Sequence, residues 1–422
     1  MDATISHNSK TRTATVAAGI IGNVMEWYDF AVYGFFASTL GQLFFPAEDD
    51  TSSLIASFGA FAAGFLMRPV GGAFFGYIGD RIGRKRALNL SVLMMAVPTF
   101  LIGVMPTHAE IGVTASVLLV VLRMLQGLSV GGEYTSSVVY LAESAPAGKR
   151  GLFASTSLLG ATGGILLGSM LSTLLSKVLT AEELGTWGWR IPFILGVMVA
   201  GVGFLIRRHM PETLSVKKKV ENPLRELLRN WRQVLQVSGL NLITAVGFYG
   251  IFVFSVTWLI KYVHEARTIA LEINTTGLLV FLGGVPLFAW LSDRVGRRPV
   301  LLVAGIAIAV LAHPITWLMY HSDVQMVRLG EMGLALLLSA FAGPVPALLA
   351  EMFPGNIRVS AVSVGYNLTY AIFGGTTPMV AVWLINKEHD DLAFAWYLSA
   401  AAVISLLFVR KIHDRAKEPL PE

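Results

Sequence analysis

Two stretches limit what this chain can fold into more than any other feature: residues 91–105 and 151–176 contain no charged side chain. Runs of that length approach or exceed the roughly 18–20 residues that cross a hydrocarbon core. Composition agrees. Charged residues make up 14% of the 422, against about 25% in a soluble domain, too few to cover a water-soluble fold of this size. A chain in lipid must satisfy every backbone polar group internally, which leaves helix bundles and closed barrels. Barrel strands would show as alternating segments of about ten residues, whereas these runs are continuous and rich in Leu, Ala and Gly. The expectation is an all-α polytopic membrane protein. Its 42 glycines suit close helix packing, as in "GAFAAGFL" (59–66) and "GGILLGS" (163–169). Cysteine is absent, so disulfides and thiolate metal sites are excluded.

Apolar segments fall near residues 15–43, 52–78, 87–106, 111–140, 151–177, 188–208, 236–263, 273–292, 300–320, 324–350, 358–386 and 391–411. They predict twelve transmembrane helices in two pseudo-symmetric six-helix bundles: an N-terminal bundle at 1–206, a central linker at 207–235, a C-terminal bundle at 236–412 and a tail at 413–422. Taken alternately, the loops on one side collect the lysines and arginines and those on the other collect acids such as Asp49, Glu110, Glu182 and Asp390. By the positive-inside rule both termini and the linker are cytoplasmic. The net charge of +5 reflects this bias, with no nucleic-acid partner implied. The membrane itself is the expected surrounding.

Two motifs recur across the halves. "GDRIGRKR" (79–86) returns as "SDRVGRRP" (292–299), and "LAESAPAGKR" (141–150) returns as "LAEMFPGNIR" (349–358). Each pair keeps its place in its half, after the second span and after the fourth. Gly83 and Gly296 permit the tight turn. Asp80 and Asp293 suit pairing with an arginine or capping of the next helix. These residues form a predicted charge latch: Asp80, Arg81, Arg84, Glu143, Arg150, Asp293, Arg294, Arg297, Glu351 and Arg358.

The pattern D-R-x-G-R-[KR] after the second span resembles the signature of the major facilitator superfamily. "NVMEWYDFAVYGF" (23–35), "FAAGFLMRPVGG" (61–72), "LRMLQGLSVGGEY" (122–134), "WGWRIPF" (187–193) and "AEMFPGNIR" (350–358) resemble its metabolite:proton symporters. The resemblance implies secondary active transport by alternating access, with no cofactor, no metal and no enzymatic step. It implies proton-coupled symport of a small organic acid such as α-ketoglutarate or citrate by a monomer. The alternative is a zwitterionic osmolyte such as proline or betaine, or a shikimate-like monocarboxylate.

An ionisable group deep in a span costs about 2.5–3.5 kcal/mol even on the mildest scale and needs a partner or a cavity. The superfamily resemblance puts spans one, four, seven and ten around the central cavity, and most such groups lie there. Arg123 is the expected carboxylate ligand, since a guanidinium binds a carboxylate in a two-pronged fashion. Gln126, Tyr33, Asn241, Tyr249 and Tyr366 are expected beside it. Asp29, Glu133, Glu26 and Glu331 are the expected proton carriers; Glu331 follows Arg123 by the same offset that relates the second repeat. Arg68 is read as packing a kink at Pro69. Trp27, Trp189 and Trp258, with Trp187 and Trp396, are expected in an interfacial belt.

Overall fold

The structure is a computed structural model. It describes residues 23–72, 74, 84–131, 133–208, 231–355 and 357–421, without the side chains of 84–89, 133, 199–200 and 202–208. In chain order the helices are α1 (23–44, with a turn at Phe36), α2 (Asp50–Gly72), α3 (Arg84–Val104), α4 (Val113–Glu143), α5 (Arg150–Val178) and α6 (Arg190–Arg208). They continue as α7 (Trp231–Lys261), α8 (Arg267–Val295), α9 (Arg297–Met319), α10 (Val324–Glu351), α11 (Arg358–Glu388) and α12 (Ala393–Val409). Among the described residues, α2, α4, α5 and α7–α11 are long and apolar enough to cross a membrane. Helix α7 starts inside the stretch expected as linker, because its first turns continue the helix as an exposed polar segment. Residues 209–230 lie outside the described residues, as do residues 1–22.

Several acids that mark one side of the membrane by composition also start helices. Asp49 accepts from the Ser52 amide at 2.8 Å and hydroxyl at 2.7 Å, and so caps α2. These Ser52 donors hold its carboxyl below the ordinary range. Glu110 and Glu183 close capping boxes with Thr107 and Thr180. Their pKa values are lowered, chiefly by the Thr107 and Thr180 amides.

Packing repeats between the halves. Helix α2 packs on α4, α3 on α4, and α3 on α6; likewise α8 packs on α10, α9 on α10, and α9 on α12. Across the halves, α5 meets α8 and α2 meets α11. In the most apolar window of each helix, 94% of α7 is buried but only 39% of α9. Helix α7 is therefore central, while α9 turns Val303, Ile306 and Val310 outward, to lipid. Helices α7 and α11 each widen into a π-helical turn, at Gly250–Phe254 and Tyr370–Gly374. Such turns recur at functional sites.

Among the described glycines, the closest approach to a neighbouring helix is at the crossing of α2 and α4. A Cβ on Gly127 would lie 1.7 Å from the Gly64 carbonyl oxygen, and one on Gly131 would lie 2.1 Å from that of Arg68. Only hydrogen fits there, and the crossing sets the depth of Arg68 and Arg123, which stand one turn from these glycines. Gly127→Ala should force the backbones apart. It should lower unfolding stability by about 3 kcal/mol, the upper end for overpacking, as a reduced thermal midpoint in detergent. Gly283→Ala, with nothing within 4 Å of the new methyl, should not lower it. Equal midpoints for both variants would contradict the crossing.

Candidate functional site: paired charges and a tyrosine cluster

Among the described residues, two buried ion pairs occupy the first half. Arg123 Nη1 donates to Asp29 Oδ2 at 2.8 Å and to Gln126 Oε1 at 2.7 Å. Thr99 on α3 donates to Asp29 Oδ1 at 2.8 Å and accepts from Gln126 Nε2 at 2.8 Å. The guanidinium lies 4.6 Å from the Phe30 ring centroid and 4.3 Å from that of Tyr33. The Tyr33 hydroxyl donates to the Ser57 carbonyl at 3.0 Å. Arg123 is thus walled by rings and held through Nη1, and it is not among the residues that line the cavity. Its Nε and Nη2 have no partner among the described residues.

The second pair is Arg68 Nη2 with Glu26 Oε1 at 3.2 Å, with side chains 1% and 6% exposed. Arg68 stands over Phe65 at 5.1 Å and Trp27 at 5.9 Å. Trp27 stacks on Tyr249 at 6.0 Å, and Tyr249 meets Tyr370 edge-on at 6.1 Å. Tyr366 stacks on Tyr370 at 4.1 Å and on Tyr134 at 4.8 Å. Tyr134, Tyr366 and Tyr370, with Asn241 and Thr244, line a cavity of ≈ 20 Å³ between the halves. Asn241 donates to the Val237 carbonyl at 2.9 Å. The Tyr249 hydroxyl has no partner among the described residues.

The halves touch at both ends of this cavity. At the basic end Arg150 pairs with Glu351 at 2.8 Å, and Arg358 pairs with Glu143. The two pairs are reciprocal, because each repeat supplies the glutamate to the other's arginine. Arg297 binds Glu351 at 3.1 Å and Asp293 at 2.7 Å. Asp293 also accepts from the Gly151 and Leu152 amides at 2.7 and 3.0 Å. It therefore caps α5 in the other half rather than the helix that follows it. Gly296 has φ +104° and makes the expected turn. At the opposite end Lys261 donates to Thr51 at 2.8 Å, Arg267 to the Phe35 carbonyl at 2.8 Å, and Lys177 pairs with Glu272 at 2.6 Å.

Several sequence readings change. Arg294 is exposed and lies 4.0 Å from the Trp290 ring, outside the latch. Arg68 is a buried ion rather than kink packing, and its neighbour Pro69 gave no hint of a partner 42 residues away. Trp27, Trp189 and Trp258 are 3%, 0% and 3% exposed and sit inside the protein, whereas Trp187 and Trp396 face outward. Thr99 escaped notice because one hydroxyl in an apolar run carries no pattern. Glu331 is buried on α10 beside Ser255. Asp80 and Arg81 lie outside the described residues, as do the side chains of Arg84 and Glu133.

A profile of the family described as "Sugar (and other) transporter" matches residues 14–241 and 236–413. The chain belongs to that family. It is a transporter of the major facilitator superfamily, related to the metabolite:proton symporters, and a multi-pass protein of the bacterial inner membrane. It is 36% identical to a proline/betaine transporter of Salmonella typhimurium, over 99% of this chain and 87% of that one. It is 35% identical to an alpha-ketoglutarate permease of Escherichia coli, over 98% and 96%. The D-xylose-proton symporter structure has the same fold, with TM-score 0.75 and 21% identity over 96% of this chain and 98% of that one.

Thr99 is both donor and acceptor within the Asp29–Arg123 network. Thr99→Val should leave Asp29 and Gln126 short of a bond, costing about 1–3 kcal/mol. Thr99→Ser should retain most of that stability. Thermal unfolding in detergent compares them, and a Val variant as stable as Ser would show the network idle.

Proposed function

We propose that this transporter is a proton symporter for a small zwitterionic solute of the proline/betaine class. The observation that carries the proposal is the Arg68–Glu26 pair beside the cluster of Trp27, Tyr134, Tyr249, Tyr366 and Tyr370. A guanidinium suits the solute's carboxylate. Aromatic rings suit its ammonium, as in recognition of quaternary ammonium groups. Arg68 thus takes the role that sequence reasoning gave to Arg123. One buried cation offset by one buried anion leaves no net charge, which matches a zwitterion better than a dicarboxylate. The proline/betaine transporters among the relatives support the same class, while the alpha-ketoglutarate permease supports the organic-acid reading.

In this account the twelve helices cross as two six-helix bundles, 1–206 and 236–412, with the basic end and both termini cytoplasmic and one chain as the working unit. The seams at the two ends open alternately. Asp29 carries a proton with Arg123 as its counter-charge, because a carboxyl that trades a proton for an arginine can tie rocking to the proton gradient. Glu26 takes part through Arg68. The latch residues Glu143, Arg150, Asp293, Arg297, Glu351 and Arg358 close the cytoplasmic seam, with Asp80, Arg81 and Arg84 as the first repeat's contribution.

Uptake of radiolabelled glycine betaine, proline, α-ketoglutarate and citrate into proteoliposomes, with and without a protonophore, tests the proposal. Betaine or proline should accumulate, and the protonophore should abolish it. Tyr366→Ala should raise the half-saturating betaine concentration by about 2- to 30-fold, the value of roughly 0.5–2 kcal/mol for a cation–π contact. Accumulation of α-ketoglutarate or citrate alone would return the site to an organic acid.

A further inference from the structure

Among the described residues, one buried carboxyl takes part in no ion pair. Glu331 is 0% exposed on α10, seven residues from its start at Val324. Its Oε1 accepts only from the Ser255 hydroxyl, at 3.3 Å, and Oε2 has no partner among the described residues. Ser255 follows the π-helical turn of α7 and already donates to the Ile251 carbonyl at 2.5 Å. On the other side the glutamate presses on α8, where a Cβ on Gly277 would lie 2.9 Å from its Cγ. Glu331 therefore fills the joint of three helices that also line the cavity, through Phe248, Phe281 and Leu338.

The charged and titratable groups on the neighbouring helices are engaged elsewhere. On α7, Lys261 binds Thr51, and Tyr249 packs in the aromatic cluster. On α8, Arg267 binds the Phe35 carbonyl and Glu272 pairs with Lys177. On α9, His313 lies against Trp396. Arg328, one turn back on α10, is the exception: its Nε has no hydrogen-bond partner, but among the described residues it makes no ion pair with Glu331. An ion at this joint would go uncompensated, at a cost of several kcal/mol. A neutral acid fits it.

We infer that Glu331 is a second proton-carrying residue, independent of the Asp29–Arg123 pair. This rests on the proton-symport reading above and adds a carrier in the other half. The ionised carboxylate requires water, which reaches the joint only when the outer part of α7 stands away from α8 and α10. It takes one proton from the outer solution there, and the neutral acid lets the three helices close. The proton leaves toward the cavity, which begins two turns further along α10 at Leu338, when the cytoplasmic side is open. The carboxylate is then restored for the next cycle.

The test uses the full chain in proteoliposomes with glycine betaine as the probe, and reads protons moved per solute from the reversal potential. Glu331→Gln keeps the shape of the neutral acid and cannot titrate. The variant should fold to wild-type abundance, keep solute counterflow, and move one proton fewer per solute. An unchanged ratio would overturn the inference while leaving symport intact. A wild type that moves no proton with solute would overturn both. If Glu331→Gln fails to fold while Glu331→Asp folds, the joint needs a charge, and the inference also falls.

Discussion

A charge inside hydrocarbon must meet an opposite charge, and much of this protein's interior follows from that requirement. Arg68 and Arg123 each stand on a helix of the first half and each finds its carboxylate on α1. Reaching these partners demands that α1, α2 and α4 run close together. The glycines at the α2–α4 crossing allow the approach, since any side chain there would strike backbone. Aromatic rings then cover the guanidinium faces that the carboxylates leave bare. Helix packing, glycine placement and the site's chemistry are thus one solution to one electrostatic problem.

Depth separates the charges that hold from those that can let go. The central pairs are at most 6% exposed, and breaking one of them strands a buried ion. At the basic end Arg150 is 16% exposed and Glu143 is 42% exposed. Their partners Glu351 and Arg358 are only 1% and 3% exposed, so each pair has one member near water and one inside, and it parts cheaply only where water follows to the buried member. Reciprocity has a physical consequence too. Two equivalent pairs related by the internal repeat hold the seam at two matching points. The cap that Asp293 places on α5 adds a contact of the same kind, one that ties a helix end in one half to an acid in the other.

The all-α membrane fold and the repeats were legible because they are properties of runs, and a run of apolar residues or a recurrent motif survives without coordinates. The charged residues Arg150, Glu351, Arg358 and Glu143 stood out for the same reason, although not which would pair with which. The site was less so. Arg123 was singled out as an ion in a span, which is true also of Arg68, and nothing in sequence distance reveals that Arg68 faces the tyrosines while Arg123 is sealed behind Phe30 and Tyr33. Trp27 looked like a belt residue because tryptophans favour interfaces. Its place in the aromatic cluster depends on Tyr249, in the other half of the chain. Thr99 shows the limit most plainly, being one hydroxyl whose importance lies wholly in what surrounds it.

The central claim is that the two seams open alternately around the cavity. The chain has no cysteine, so introduced pairs can carry spin labels without background. Labels at the exposed positions Ala147 and Val295 span the basic end, and labels at Ala47 and Ala266 span the opposite end. Pulsed electron–electron distance measurement in lipid nanodiscs, with glycine betaine and across pH, reads both. The account predicts that one distance lengthens as the other shortens. Distances that lengthen together, or that stay fixed under every condition, would contradict it.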